Sequence, residues 1–249
     1  MEKIALVTGA GTGVGKAAAH ALLAAGFITV FAGRRKDVLD VAIAEANSEE
    51  NKAFGIACDV SREADVAAMF ENIDHRYGRL DVLFNNAGLG LTSATIDEID
   101  PDEWRKIIDV NLTGSFLCAR QAFAMMRRQK PMGGRIINNG SVSAHAPRPG
   151  SAPYTASKHA ITGLTKTISL DGRPYDIACG QLDIGNAATE MASVISSGIL
   201  QAHGEVVPEQ VMDVRHVGDA VVQMAQLPLS ANVQLMTLIA TKMPFVGRG

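Results

Sequence analysis

Seven strand-length, largely apolar runs alternate with helix-forming stretches, and this alternation constrains the chain more than any other feature. The runs are Ile4–Val7, Ile28–Phe31, Phe54–Ala57, Leu80–Phe84, Arg135–Ile137, Ile177–Leu182 and Val233–Ile239. The helical stretches lie near 14–25, 36–47, 63–77, 101–128, 154–170 and 216–226. A strand that is apolar on both faces must be covered on both faces, so this order predicts a parallel sheet sandwiched between helices. Right-handed crossovers then make it a doubly wound α/β sheet. The 249 residues, 47% hydrophobic, suit one domain over 1–249, with no internal repeat or composition break. The helix near 101 has start chemistry: Asp100 as N-cap, Pro101 at N1 and Glu103 as a capping-box partner.

Composition removes several function classes. A net charge of −3 and no basic block argue against nucleic acid and anionic membrane as partners. Cys58, Cys118 and Cys179 have no ligand or disulfide spacing, and the histidines form no cluster, so no metal is expected. Buried free thiols fit a reducing, cytoplasmic setting. No secretory leader is expected, because a strand begins at Ile4. Residues 17–33 carry no Lys, Arg, Asp or Glu, but Gly26 divides them. A buried helix followed by a buried strand fits them better than a membrane span, which needs about 20 apolar residues.

The first strand runs into Thr8-Gly9-Ala10-Gly11-Thr12-Gly13-Val14-Gly15-Lys16, and a helix follows. Backbone N–H groups and a helix dipole meet there, as an anion-binding turn requires. A P-loop would need glycine at position 10 and a hydroxyl at 17, where Ala10 and Ala17 stand. The GxGxxG fingerprint fails at Val14 or at Lys16, depending on where the count starts. The pattern that fits is Thr-Gly-x-x-x-Gly-x-Gly, on Gly9, Gly13 and Gly15. The second strand ends at Gly33-Arg34-Arg35, where an acid for a ribose 2′-hydroxyl would otherwise stand. Two guanidinium groups suit a 2′-phosphate instead, which predicts NADP(H), with NAD(H) as the alternative.

Tyr154 and Lys158 are four residues apart and share one helix face. An ammonium about 4 Å from a phenol, at an effective dielectric of about 20, favours phenolate by roughly 4 kcal/mol. Lys158 is therefore expected to bring Tyr154 down towards neutral pH, where it can act as a general acid or base.

Taken together, these residues resemble the short-chain dehydrogenase/reductase family over nearly the whole chain. The matching pieces are the Thr8–Gly15 turn, Cys58-Asp59-Val60, Asn85-Asn86-Ala87-Gly88, Asn111, Ser141 and Tyr154-xxx-Lys158, in the family's order and spacing. The resemblance implies a Rossmann-like fold and hydride transfer between a nicotinamide cofactor and a carbonyl or secondary alcohol. It implies Tyr154 as general acid/base and Ser141 as the group that polarises the substrate oxygen. Lys158 would bind the nicotinamide ribose, and Asn111 would help hold a water behind it. Gly9, Thr12, Gly13, Val14, Gly15, Arg34, Arg35, Asp59, Val60, Asn86, Ala87, Gly88, Ile184, Gly185 and Thr189 would line the cofactor, Asp59 at adenine and Thr189 at the carboxamide. Assembly as a homodimer or homotetramer through helices 101–128 and 154–170 is also implied.

The chain departs from the family pattern after the sixth strand. Gly180 replaces the usual asparagine and Ile184 the usual proline, and the C-terminus lacks an Asp-Gly-Gly ending. Residues 190–214 are expected to form a substrate lid or a plain surface helix. His145 and Arg148 are expected at surface loop positions, and Ser143 is a rival to Ser141. The alternative function is a silent NADP(H)-binding sensor or structural protein. The complete Asn-Ser-Tyr-Lys set argues against it, since a pure binder needs no tuned phenol.

Overall fold

The computed structural model describes residues 2–47, 51–90, 94–189 and 197–246. Seven strands form one parallel sheet: β1 Ile4–Thr8, β2 Ile28–Gly33, β3 Ala53–Ala57, β4 Val82–Asn85, β5 Gly134–Asn139, β6 Ile177–Ile184 and, at the edge, β9 Leu235–Leu238. Their spatial order is β3-β2-β1-β4-β5-β6-β9, with the strand sequence reversing direction between β1 and β4. Doubly wound sheets bind ligands at that reversal, outside the carboxyl ends of the strands. A two-stranded antiparallel hairpin, β7 Ile199–Leu200 and β8 Val206–Val207, lies apart from the sheet.

Side chains alternate between the two faces of each strand, so each apolar strand feeds two cores. On one face Leu6, Leu83 and Ile136 pack with α3 (Glu63–Tyr77) and α5 (Gly114–Arg128). On the other, Val7, Phe31, Phe84 and Leu182 pack with α1 (Gly13–Ala24), α2 (Lys36–Glu45) and α7 (Arg215–Gln226). Small residues let α1 and α7 close on each other: a Cβ on Gly218 would lie 2.9 Å from the Ala17 carbonyl oxygen. Residues 17–33 are the body of α1 and then β2, and no helix among the described residues is long and apolar enough to cross a membrane.

The stretch expected as one helix over 101–128 is interrupted. It comprises α4 (Pro101–Ile108), a π-turn over Asp109–Thr113 and α5. Asp100 caps α4 by accepting from the Asp102 amide at 2.9 Å, so the cap engages N2 rather than Glu103 at N3. The long helix α6 runs from Ala152 to Gly172, starting two residues before Tyr154 because Pro153 is accommodated in the first turn.

Candidate active site

At the sheet's reversal point the carboxyl ends of the strands open into a cleft of about 780 Å³. The glycine turn forms one wall. Gly9 and Gly13 have φ of +67° and +53°, a left-handed conformation that glycine adopts without penalty. A Cβ on Gly15 would collide with the Gly9 carbonyl and lie 2.6 Å from Asn86 Nδ2. Thr8 Oγ1 ties the turn to the end of β4 by accepting from the amides of Asn86 and Ala87, both at 2.9 Å. Asn86 Nδ2 returns a bond to the Thr8 carbonyl at 2.8 Å. The Thr12 side chain makes no cap bond to α1, so the helix's first amides open towards the cleft. This is a rigid backbone cradle with the polarity an anion requires.

Beyond the turn, Arg34 and Arg35 stand exposed on the cleft rim at the end of β2. Neither forms an ion pair among the described residues. Asp59 Oδ1 accepts from the Ser61 amide at 3.0 Å and the Ser61 hydroxyl at 2.7 Å. Burial pushes this carboxyl up, but those bonds and the charges of Arg34 and Arg62 outweigh it and hold it below the usual range. Val14, Val60, Ala87, Gly88, Ile184, Gly185 and Thr189 also line the cleft, with Thr189 packed against the turn at Gly13.

Ser141, Tyr154 and Lys158 line the same cleft. Ser141 follows β5, while α6 presents the other two one turn apart. The Ser141 hydroxyl acts on the Tyr154 phenol, favouring its ionised form. Ser143 also lines the cleft, and its amide donates to Ser141 Oγ at 3.1 Å. Lys158 Nζ donates to the Asn139 carbonyl at 2.7 Å and sits 5.6 Å from the Tyr154 ring centroid. Asn111 lies in the π-turn, just behind the wall. Its Oδ1 accepts from the Leu89 amide at 2.7 Å, and its Nδ2 donates to Ser157 Oγ at 3.2 Å. A helix weakened there by an asparagine has taken the wider turn often found at functional sites.

The electrostatics differ from the sequence expectation. Burial pushes the Tyr154 phenol up; the Ser141 hydroxyl and the charge of Arg148 oppose this without overcoming it. The expected lowering assumed a solvated ammonium at close range, whereas Lys158 is itself buried and turned to a carbonyl. Burial brings Lys158 down from 10.5 to about 8, against the pull of Asp183. Holding it charged therefore costs about 3 kcal/mol at most. The sign follows from proton counting: between about 8 and 10.5 the unfolded chain binds the extra proton, so wild-type stability rises with pH across that window. Lys158→Met is expected to stabilise the fold below pH 8, with the advantage fading towards 10.5. Denaturant melts at pH 7 and pH 10 check this, and an equal difference at both would contradict it.

Of the two expected surface positions, His145 is exposed in the turn after β5, whereas Arg148 is not at the surface. Arg148 is buried and lines the cleft, its guanidinium bonded to Glu209 at 2.5 and 2.6 Å and to Asn186 Oδ1 at 3.2 Å. Glu209, also buried, accepts further from Asn186 Nδ2 at 2.7 Å and Gln201 Nε2 at 2.9 Å. Burial raises Glu209, but the Arg148, Asn186 and Gln201 bonds dominate and hold it at about 2. His145 Nε2 lies 2.8 Å from Asp183 Oδ2. No spacing in the sequence linked Arg148 to a carboxylate 61 residues away.

The departures after β6 have local causes. A Cβ on Gly180 would collide with the Val233 carbonyl, so glycine there admits the segment leading to β9. Ile184 continues the ladder opposite Leu238 instead of ending it, as proline would. The atypical C-terminus packs behind the cleft, where the Asn186 amide donates to Met243 Sδ at 3.3 Å. Of the expected lid, 190–196 lie outside the described residues, including Met191, Val194 and Ile195. The rest includes the β7–β8 hairpin, whose Ile199, Leu200 and Val206 line the cleft, and then a segment bridged to Ala187 at Met212.

The short chain dehydrogenase family model matches residues 3–199. A 3beta-hydroxysteroid dehydrogenase of Mediterraneibacter gnavus is 36% identical over 205 residues, covering 82% of this chain and 73% of that protein. A 3-oxoacyl-[acyl-carrier-protein] reductase of Synechocystis sp. is 33% identical over 196 residues, 78% of each chain. Among solved structures, a 3-ketoacyl-(acyl-carrier-protein) reductase from Brucella melitensis complexed with NADH superposes with a TM-score of 0.84 at 25% identity, covering 96% of this chain and 97% of that one. An actinorhodin polyketide ketoreductase with NADPH gives 0.86 at 26% identity, over 96% of both chains. The parallel sheet, the glycine turn at its reversal and the span of the family match lead to one conclusion: the chain belongs to the short-chain dehydrogenase/reductase family of oxidoreductases.

Proposed function

We propose that the protein transfers hydride between a nicotinamide nucleotide, NADP(H) by preference, and an uncharged apolar carbonyl/secondary-alcohol pair. The observation that carries this reading is that Ser141, Tyr154 and Lys158 line one cleft together with a glycine cradle and two arginines. The cradle fits a pyrophosphate, because only glycine backbone leaves room for the close approach. The nicotinamide, when bound, supplies the hydride. The chain's own part is to hold the substrate oxygen between two hydroxyls and to move one proton. Burial keeps the Tyr154 phenol protonated at neutral pH, so it donates to an oxygen that gains charge during carbonyl reduction. Ser141 donates to the same oxygen. Lys158, beside the phenol, is placed to reach a nucleotide ribose, and Asn111 steadies the wall behind it.

The substrate end favours a neutral, apolar molecule. Ile199, Leu200 and Val206 line it, and the Arg148 guanidinium is matched by Glu209. The hairpin carrying these residues is a described part of a substrate lid on the single domain. Assembly as a homodimer or homotetramer, across outer helix faces that expose Phe116 and Leu170, and a cytoplasmic setting complete the reading.

Oxidation of NADPH by a panel of apolar ketones and aldehydes tests the function. Nucleotide binding with no oxidation across the panel would favour the silent sensor. For the cofactor preference, Arg34→Ala is expected to weaken NADP(H) about ten- to a hundredfold, the worth of one charge-assisted bond, with a much smaller loss for NAD(H). Fluorescence titration of both nucleotides measures this, and equal losses would count against a 2′-phosphate at Arg34.

A further inference from the structure

Asp183 stands at the cleft end of β6 and is fully buried, yet the chemistry above gives it no task. Its Oδ1 accepts from the Ser141 amide at 3.0 Å and from Gln181 Nε2 at 2.7 Å. Its Oδ2 lies 2.8 Å from His145 Nε2. A buried carboxylate is costly unless its oxygens are bonded, and both of these are. The backbone beside it is shaped for it. A Cβ on Gly140 would collide with Asp183 Oδ1 and lie 2.8 Å from Gln181 Nε2. The carboxylate thus occupies the space a side chain at 140 would fill, and it grips the next peptide unit. Ser141 is held from both sides, by Asp183 at its amide and by the Ser143 amide at its Oγ. With that Oγ lone pair engaged, its proton is left free to point into the cleft.

We propose that Asp183 is a positioning residue of the acid/base centre: it fixes the Ser141 backbone while His145 seats its second oxygen, and it places a negative charge beside Tyr154 and Lys158. The proposal rests on the acid/base reading of Tyr154. The titratable and charged groups around the carboxylate are His145 from the turn after β5 and Tyr154 and Lys158 from α6. Arg148 acts on the phenol from the loop before α6, with its own charge matched by Glu209. Gln181 on the same strand and Thr237, the register partner of Asp183 on β9, are neutral. The Asp183 charge favours the protonated forms of both Tyr154 and Lys158. Removing it should release both protons at lower pH.

Asp183→Asn keeps the shape and removes the charge. In this variant the rise of alcohol oxidation with pH is expected about one pH unit earlier than in the wild type. The Ser141 amide proton of isotope-labelled full-length protein should move upfield in NMR spectra, having lost its carboxylate acceptor. Should the Asn variant not fold, Asp183→Ser removes the same charge without crowding, and the same two shifts are expected. A folded, active variant with an unmoved pH profile overturns the proposal. If the wild type itself proves inactive on the panel, the proposed function fails, and the Ser141 resonance still judges the clamp: an unmoved resonance overturns it.

Discussion

Tyr154→Phe is expected to lower turnover by about two to four orders of magnitude, the usual worth of a positioned acid/base, with little change in nucleotide affinity. The ring stays in place and loses only the phenolic oxygen. The surrounding burial sets the pH behaviour of the wild type. A phenol raised above its ordinary 10 is protonated throughout the neutral range, so carbonyl reduction should stay flat there. Alcohol oxidation needs the phenolate and should climb with pH into the alkaline range. Steady-state rates in both directions, with nucleotide titrations as the control, measure this. Turnover in the Phe variant equal to wild type would remove Tyr154 from the chemistry.

Arg148→Met carries the second large effect, a loss of about 3–5 kcal/mol of stability, the typical result of removing one partner from a buried pair. Glu209 would keep its bonds from Asn186 and Gln201 but lose the guanidinium that fits both oxygens. The pair joins the loop before α6 to the segment after β8, so the hairpin should loosen with it. The acid side carries a signature. Glu209 is ordinary at 4.5 when unfolded and about 2 when folded, so its contribution is complete above 4.5 and fades as pH falls towards 2. In the variant that acid-side loss should shrink. Chemical denaturation of both proteins at pH 7 and pH 3.5 checks magnitude and pH dependence together. A variant as stable as wild type at pH 7 would show that the pair is dispensable.

Strand and helix positions were legible because each depends on a few neighbouring residues. The apolar run Ile4–Thr8 is buried on both faces, and Gly9 and Gly13 take the left-handed turn that their spacing suggests. The placement of Tyr154 and Lys158 on one helix face follows from the same local periodicity. The π-turn at Asn111 was half legible: a poor helix former marked the weak point, but not the widened turn it produced.

Order along the chain thus determined the sheet, the phosphate-shaped turn, the cations at its rim and the trio of hydroxyls and ammonium. Tertiary structure alone decided how strongly those groups hold their protons, because burial is summed over elements far apart in sequence. It moved Tyr154 up where a pairwise estimate moved it down. It also brought Glu209 to Arg148, and Asp183 to Ser141 and His145, across 61, 42 and 38 residues. Local pattern is written in spacing; a desolvated charge and its partners exist only once the chain has closed around them.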